Sequence, residues 1–274
     1  MTTTLRPTEP LQRHADGTRS RHYQVCVNSR PVGAVHLATV PGFGDSVASV
    51  DDLRIEEPDR RRGRGTVAAL AAEEIARGWG CQEIQIALPG TAEAALRLVA
   101  AVGYVLRNRG MAKRLGDTPP ALPEGSRGRP MTQAEFDAWQ AHETDRYARD
   151  WIARGVPEEA ARAKSRRDHE VLLPQGLASA DTWFSVLEQD GTRVGTLWLA
   201  LRDGLPFVYD VEVDAAHRGR GHGRTLMLLA ETQAHGMGQH ALGLNVFADN
   251  PPAERLYESL GYETTRYVFR KALL

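Results

Sequence analysis

Apolar residues recur at two spacings along this chain, and each spacing predicts a different kind of element. Short runs rich in β-branched residues predict strands at 23–28, 32–40, 48–55, 83–88 and 105–114. Apolar positions three and four apart predict helices over 66–77 and 91–101. The residues that would share one face of the first helix are Val67, Leu70, Ala71 and Ile75.

The same pattern recurs at a shift of 158 positions. The shift superposes the arginine- and glycine-rich segment 60–65 on 218–223, and it pairs Val50 with Val208, Leu98 with Leu256, Gly103 with Gly261 and Tyr104 with Tyr262. The second copy contains predicted strands at 183–188, 193–201, 206–213, 241–247 and 266–270, and predicted helices at 225–234 and 252–259. We therefore predict two copies of one fold in tandem.

The two copies differ in what precedes their first strand. Two predicted helices, at 131–155 and 157–173, come before the second copy, whereas only about twenty polar residues come before the first. Between the copies, residues 116–130 are rich in glycine and proline, which is typical of a linker. We expect a first domain over 1–115, a linker over 116–130 and a second domain over 131–274.

Composition narrows the class of protein. An apolar share of 42% and a charged share of 25% are ordinary for a globular chain, and a formal net charge of −1 gives no overall attraction to nucleic acid. No apolar run approaches the roughly 18 residues that cross a bilayer, and the first residues lack a signal pattern. We therefore expect a cytoplasmic protein with neither a membrane nor a nucleic-acid partner. A chain rich in arginine and alanine, with three lysines, suggests a bacterial source.

The cysteines and histidines suggest no metal site. Cys26 and Cys81 lie inside apolar runs, so we expect them to be buried reduced thiols. No histidine has a partner at a spacing typical of metal ligands, and we expect no metal.

A glycine-rich turn is the most informative chemical feature. Residues 217–225 follow the apolar run 208–213 and precede the helix-like run from Leu226. Glycines allow a tight turn and a close backbone approach, while free amides and the positive helix end favour phosphate. We expect His222, at the start of this helix, to be solvated.

The turn and two later segments together resemble the GNAT superfamily of acetyl-CoA-dependent N-acetyltransferases. The residues that carry the resemblance are Arg218, Gly221 and Gly223, then 244–250 (LNVFADN) and 256–262 (LYESLGY). The resemblance covers about 183–270 well and 32–114 more weakly. It implies an α/β (α+β) protein with two tandem GNAT folds, each a mixed, mostly antiparallel, splayed sheet flanked by helices.

The resemblance also implies which positions bind acetyl-CoA. The pyrophosphate would lie on the amides around 218–224, and the pantetheine arm would run between the strands at 206–213 and 241–247. The positions assigned to the cosubstrate are Val211, Val213, Arg218, Gly219, Arg220, Gly221, His222, Gly223, Arg224, Asn245 and Asn250.

Tyr257 is the candidate general acid. By resemblance it would lie close to the thioester sulfur, where a phenol can protonate the departing thiolate. Some relatives carry a glutamate where this chain has Asn245, so the base must come from elsewhere, or water must serve. Glu212 is the first candidate and Asp210 the reserve, since strand alternation puts both on the face opposite Val211 and Val213. Either carboxylate could instead hold the substrate ammonium or be structural.

The first copy lacks this chemistry. At the shift of 158, Tyr257 faces Val99, Asn250 faces Ala92, Asn245 faces Ala87 and Glu212 faces Arg54. Arg60, Gly63 and Gly65 remain, so the first copy could keep a vestigial cosubstrate site or merely a turn. We expect catalysis in the second copy, with a small-molecule or peptide amine as acceptor.

Three alternatives accompany this interpretation. Residues 63–68 also fit a dinucleotide fingerprint, but the elements that follow do not form a doubly wound series. A non-catalytic acyl-CoA-binding sensor would come from another class of protein. A mycothiol-synthase-like activity is a closer alternative, because that enzyme also has two tandem GNAT copies with one active. The sequence leaves the acceptor, the acyl preference and the oligomeric state open.

Overall fold

Each copy forms strands and helices close to where the apolar pattern predicts them. The computed structural model describes residues 2–43 and 45–273. The elements of the first repeat are β1 (Thr3–Pro7), β2 (Gln12–Arg13), β3 (Arg19–Val27), β4 (Arg30–Thr39), β5 (Val47–Ile55), α1 (Arg64–Gly78), β6 (Glu83–Pro89), α2 (Glu93–Ala101) and β7 (Val105–Arg114).

Two helices near the start of the second repeat have no counterpart among the described residues of the first. Its elements are β8 (Ser126–Pro130), α3 (Gln133–Ala153), α4 (Glu158–Leu172), β9 (Thr182–Gln189), β10 (Thr192–Arg202), β11 (Leu205–Val213), α5 (His222–Gly236), β12 (Ala241–Phe247), α6 (Pro251–Ser259) and β13 (Glu263–Ala272). The bounds of α5, β12 and α6 are those of α1, β6 and α2 shifted by 158. The tandem repeat is therefore confirmed.

The chain divides into two compact units, which do not coincide with the two repeats. Unit 1 comprises Met1–Asn108 and Thr265–Leu274, and unit 2 comprises Arg109–Thr264. The strand order in unit 1 is β1-β3-β4-β5-β6-β13, with β5 and β6 parallel and the other neighbouring strands antiparallel. The order in unit 2 is β7-β12-β11-β10-β9-β8, with β11 and β12 parallel.

The last strand of each repeat belongs to the unit built mainly from the other repeat. β13 pairs with β6, from Arg266 opposite Pro89 to Ala272 opposite Glu83. The part of β7 from Arg109 onwards lies in unit 2. The units thus differ from the domains expected at 1–115 and 131–274, because strand pairing is a long-range choice that the period of a single strand does not specify.

Two further strands lie in segments where none was expected. Within the expected linker, β8 pairs with β9, and within the polar start of the chain, β1 pairs with β3. Both are edge strands of five residues, so they need only one pairing partner and little apolar patterning.

The four apolar residues expected on one face of α1 do not together form its buried face. Val67 and Leu70 are 41% and 43% exposed, and the buried face consists of Ala68, Ala69, Ala72, Glu73 and Ala76. Small side chains allow a helix backbone to lie close to a sheet, so the largest apolar residues of this helix do not mark its inner side. Cys26 and Cys81 are buried and unbridged. Among the described residues, no helix is long and apolar enough to cross a membrane.

Candidate active site

In unit 2 the two parallel strands β11 and β12 pair over a short stretch only. Their ladder joins Phe207 to Gly243 and Val208 to Leu244, although the strands continue to Val213 and Phe247. In unit 1 the corresponding ladder ends at Val50 opposite Ile86, which is the same position at a shift of 158. Each sheet is therefore splayed at the same place, where a ligand can reach the backbone of both strands.

A β-bulge precedes the splay in both repeats. Trp198 pairs with Asp210 while Leu199 pairs with Val208, so Tyr209 is the extra residue on β11. In unit 1 the register shifts in the same way, and Asp51 is the extra residue on β5. A bulge re-aims the side chains that follow it. Beyond this bulge, Asp210 and Glu212 lie towards α3, whereas Val211 and Val213 pack against the core on the other face.

Asp210 is buried and held at both carboxylate oxygens. The indole nitrogen of Trp139 donates a hydrogen bond to Oδ2 at 3.1 Å, and Nη2 of Arg146 donates to Oδ1 at 2.6 Å. Burial raises the pKa of this carboxyl, and the guanidinium of Arg146 opposes that rise. With both oxygens engaged, Asp210 is better placed to organise neighbouring groups than to receive a proton from a ligand.

A second buried carboxyl, Glu143, shares Arg146 with Asp210. Nε of Arg146 donates to Glu143 Oε2 at 2.7 Å. Burial, and then the charge of Asp210, raise the pKa of Glu143 to about 9 despite the guanidinium. Because one arginine cannot neutralise two buried carboxylates, Glu143 keeps its proton at neutral pH.

Glu212 is the accessible carboxylate of this cluster, with 22% of its side chain exposed. Nε2 of His142 lies 3.1 Å from Oε2 and 3.3 Å from Oε1 of Glu212. Two arginines are more distant, with Nη2 of Arg218 at 3.8 Å and Nε of Arg146 at 3.9 Å. Glu212 is thus a carboxylate that both a ligand and an imidazole can reach.

A set of residues on α3, none of them predicted as site residues, contacts Asp210 or Glu212 directly or through Arg146. They recur every three or four positions on one helical face and are Trp139, His142, Glu143, Arg146 and Asp150. Polar residues at helical spacing, in a helix next to a strand with two carboxylates, are the signal that could have found them.

Tyr257 lies on α6 and is almost fully buried. Burial, and secondarily the negative charge of Asp210, raise the pKa of Tyr257 to about 12. The phenol therefore keeps its proton at neutral pH and can act as a donor. Asn250 caps the same helix, since its Oδ1 accepts a hydrogen bond from the amide of Ala253 at 3.3 Å. Asn245 is exposed on β12.

The glycine-rich turn leads into α5 through two left-handed residues. Gly219 and Gly221 have φ values of 76° and 86°, and Gly221 is the N-cap of the helix. A side chain at Gly223 would begin 3.3 Å from Leu256, so glycine keeps this first turn close to α6. The amides of His222 and Gly223 belong to the first helical turn, where the helix offers no acceptor.

The arginines around the turn differ in their partners. Nε of Arg218 donates to the carbonyl of Val213 at 3.2 Å, and Arg60 makes the matching bond to Ile55 at 2.7 Å in unit 1. Arg224 donates to Ser259 Oγ, and Arg220 is exposed. Three guanidinium groups beside a helix start form a positive surface that suits a pyrophosphate.

His222 is buried, not solvated as expected. It is the first residue of α5, and its ring centroid lies 6.3 Å from that of His217. The expectation was wrong because the His222 side chain lies on the inner side of the first turn of α5, whereas that of Arg224 is exposed.

The equivalent region of unit 1 is a cavity of about 200 Å³ between β5 and β6. Val99, Ala87 and Leu98 are among its lining residues, so the positions of Tyr257 and Asn245 are filled by smaller apolar side chains. At the start of α1, the buried Arg64 pairs with Asp59, which also binds Arg30. Neither a phenol nor a carboxylate replaces Tyr257 and Glu212 here, since the counterparts are Val99 and Arg54.

The chain belongs to the Acetyltransferase (GNAT) family, whose profile matches residues 2–104 and 136–262. A mycothiol acetyltransferase of Thermomonospora curvata is 31% identical over 250 residues, which are 86% of this chain and 75% of that protein. The uncharacterized N-acetyltransferase YdgE of Bacillus subtilis is 32% identical over 149 residues, which are 52% of this chain and 95% of that protein.

Solved structures agree on the fold. A tandem GNAT protein from the clavulanic acid biosynthesis pathway superposes with a TM-score of 0.53 at 21% identity, covering 96% of this chain and 85% of its own. The chain is thus an acyltransferase of the GNAT type with two GNAT folds, as the sequence predicted, and its family uses acetyl-CoA. Among the described residues, no group of three or more His, Cys, Asp or Glu side chains could hold a metal ion.

Proposed function

We propose that unit 2 transfers the acetyl group of acetyl-CoA to a primary amine of a small molecule or peptide, by direct attack in a ternary complex. One observation carries this proposal. A buried, protonated Tyr257 and an accessible Glu212 accompany the splay between β11 and β12, whereas the equivalent positions of unit 1 hold Val99 and Arg54.

The glycine-rich turn supports the binding of acetyl-CoA. The amides at the start of α5 and the guanidinium groups of Arg218, Arg220 and Arg224 fit a pyrophosphate. Val211 and Val213 on one side of the splay, with Asn245 and Asn250 on the other, would border the pantetheine arm. Acetyl-CoA supplies the activated thioester, and every other requirement falls on the chain's own residues.

The two titratable groups would divide the proton transfers. Glu212 would accept the proton that an ammonium group must lose before the amine can attack, and Tyr257 would donate its proton to the departing thiolate. Asp210 suits the base role less well than Glu212, because Trp139 and Arg146 already engage both of its oxygens. We assign Asp210 to holding Arg146 and to keeping the site negative for an ammonium.

The similarity to a mycothiol acetyltransferase over 86% of this chain favours one particular acceptor class as a second candidate. A mycothiol acetyltransferase activity would use the same thioester and the same two groups, so the residues named above do not discriminate it from other amine acetylations. A non-catalytic acyl-CoA sensor would instead have no need of a protonated phenol or of a carboxylate that solvent can reach.

The test is thiol release from acetyl-CoA with a panel of acceptors. The panel contains amino acids, polyamines, aminoglycosides, peptide amino termini and a cysteinyl pseudodisaccharide. Saturable release with one class supports the acetyltransferase and identifies its acceptor, and release with the pseudodisaccharide alone supports the mycothiol activity. Tight acetyl-CoA binding without release from any acceptor would contradict the proposal and favour the sensor.

A further inference from the structure

His142 provides a link between Glu212 and solvent. Its Nε2 atom contacts both carboxylate oxygens of Glu212, at 3.1 and 3.3 Å, and half of its side chain is exposed, against 22% for Glu212. Exposure thus increases from the buried Asp210 through Glu212 to His142. An imidazole between a half-buried carboxylate and water is the arrangement expected of a proton carrier.

We infer that His142 carries the proton of the acceptor from Glu212 to solvent, and so returns Glu212 to its basic form before the next turnover. The inference rests on the proposed function, because it needs an ammonium group that gives its proton to Glu212. His142 acts through Glu212 and need not touch the acceptor, so its role is that of a positioning and relay residue.

The proton transfers balance in three steps. The ammonium gives a proton to the Glu212 carboxylate, which leaves a neutral amine and a carboxylic acid. The neutral His142, with its electron pair on Nε2, takes that proton and becomes an imidazolium. That transfer already regenerates the Glu212 carboxylate. The imidazolium then loses its Nδ1 proton to water, and proton exchange with solvent moves the remaining proton from Nε2 back to Nδ1, so that Nε2 can accept again.

The other charged groups near His142 and Glu212 favour Glu212, over Asp210 and Glu143, as the carboxylate that gives its proton to His142. Arg146 and Arg218 lie within 4 Å of Glu212, at 3.9 and 3.8 Å, and both are farther from it than His142. Asp210 binds Trp139 and Arg146, and Glu143 binds Arg146, so neither carboxyl has the contact with His142 that Glu212 has. Among the described carboxyl groups of this cluster, Glu212 is therefore the one whose proton His142 would take.

Stability offers no competing reason for the contact. A half-exposed histidine beside a partly exposed carboxylate contributes little to folding, since solvent screens such a pair and ordering its side chains costs entropy. Replacement of His142 should accordingly leave the fold intact, and a large kinetic effect would need another explanation than unfolding.

The decisive experiment is a double-mutant cycle of His142→Gln and Glu212→Gln, with thiol release as the readout. His142→Gln should lower kcat about tenfold or more and leave the KM for acetyl-CoA unchanged. In the Glu212→Gln background, the same substitution should cause no further loss, because the relay has lost its source. His240→Gln, an exposed histidine just before β12, is the matched control and should keep full activity.

Two readouts separate a relay from a structural contact. Added imidazole should restore part of the activity of His142→Ala and none of that of Glu212→Ala. The pH profile of kcat should change shape in His142→Gln, because the group that passes the proton to solvent is then missing. A merely structural role for His142 would change neither.

The possible results distinguish a failure of the relay from a failure of the proposed acetyltransferase activity. The relay would be overturned if thiol release depended on Glu212 but was unaffected by His142→Gln. It would also be overturned if the two substitutions lowered kcat additively. Neither result would contradict the acetyltransferase activity. Failure of the unchanged protein to release thiol with any acceptor of the panel would overturn both the relay and the acetyltransferase.

Discussion

Nζ of Lys271 lies 2.7 Å from Oε2 of Glu73, although 198 positions separate the two residues in sequence. Unit 2 repeats the contact, with Nζ of Lys113 at 2.8 Å from both carboxylate oxygens of Glu231. At the shift of 158, Glu73 corresponds to Glu231 and Lys113 to Lys271. Each buried glutamate is thus neutralised by the lysine of the other repeat.

The exchanged lysines stand in the same surroundings. Lys271 lies over the ring of Tyr104 and Lys113 over that of Tyr262, at 5.7 and 5.8 Å. Burial, with the neighbouring glutamate, raises the pKa of each of these tyrosines well above its usual range. The exchange of β7 and β13 between the repeats therefore preserves a complete Glu-Tyr-Lys cluster in each unit.

Lys271→Met should destabilise the protein by about 3 kcal/mol, because it leaves the Glu73 carboxylate buried without its cation. Glu73→Gln added to Lys271→Met should recover much of that loss, since no uncompensated charge then remains. Urea unfolding of the single and double variants measures both effects. Equal stability of the two variants would show that the charge of Glu73 is satisfied elsewhere.

The repeat explains why much of the fold could be predicted from the sequence. A shift that aligns the two glycine turns also aligns α1 with α5 and β6 with β12, and the predicted bounds of β7 and β12 match the structure. Strand partners were beyond prediction, since the apolar pattern of β13 is equally compatible with either unit. The sequence shows one trace of these strands' equivalence. Two of the three lysines, Lys113 and Lys271, lie on β7 and β13 and are 158 positions apart.

The candidate site divides in the same way. Tyr257 and Glu212 could be predicted as site residues, Tyr257 from its sequence motif and Glu212 from strand alternation, because both signals depend on local spacing. His142, Glu143 and Arg146 were not, because their significance comes from the packing of α3 against β11, which joins residues about 70 positions apart. The buried state of Asp210 also depends on that packing.

Tyr257→Phe should lower turnover at least tenfold and leave acetyl-CoA affinity nearly unchanged, because the ring stays and only the proton is lost. Initial rates and equilibrium binding of acetyl-CoA measure the two effects separately. Since the pKa of Tyr257 is raised to about 12, ionisation of this group should not limit the rate between pH 7 and 10. Undiminished turnover in Tyr257→Phe would remove the acid assignment.

Glu143→Gln should stabilise the protein more at pH 8 than at pH 5. The folded chain holds a proton on Glu143 up to about pH 9, whereas the unfolded chain loses it near the ordinary value of 4.5. The folded state therefore binds the extra proton within this window, and stability falls as pH rises through it. Glutamine mimics the protonated carboxyl and removes that fall, a gain of about 1 to 3 kcal/mol at pH 8.

Asp150→Asn is the matched control for that comparison. Asp150 lies on the same helix, 3.6 Å from Arg146, but its side chain is 41% exposed. Its substitution should change the free energy of unfolding by no more than about 0.5 kcal/mol at either pH. Chemical denaturation at pH 5 and pH 8 provides the measurement, and a Glu143→Gln effect of equal size at both would contradict the protonated state.

Gly221→Ala should raise the KM for acetyl-CoA about tenfold, whereas Gly63→Ala should not. The two glycines are equivalent N-caps with φ values of 86° and 72°, and neither has a heavy atom within 4 Å of the position that a Cβ would occupy. Alanine therefore meets the same left-handed strain at both, about 1 kcal/mol, and both variants should lose similar stability. Only at Gly221 would the added methyl also obstruct a pyrophosphate approaching the amides of α5. Steady-state kinetics of both variants measures the change in KM, and thermal unfolding shows whether the two lose equal stability. An equal rise in KM in both variants would contradict the prediction, because the effect would then come from backbone strain or unit 1 would take part in the reaction.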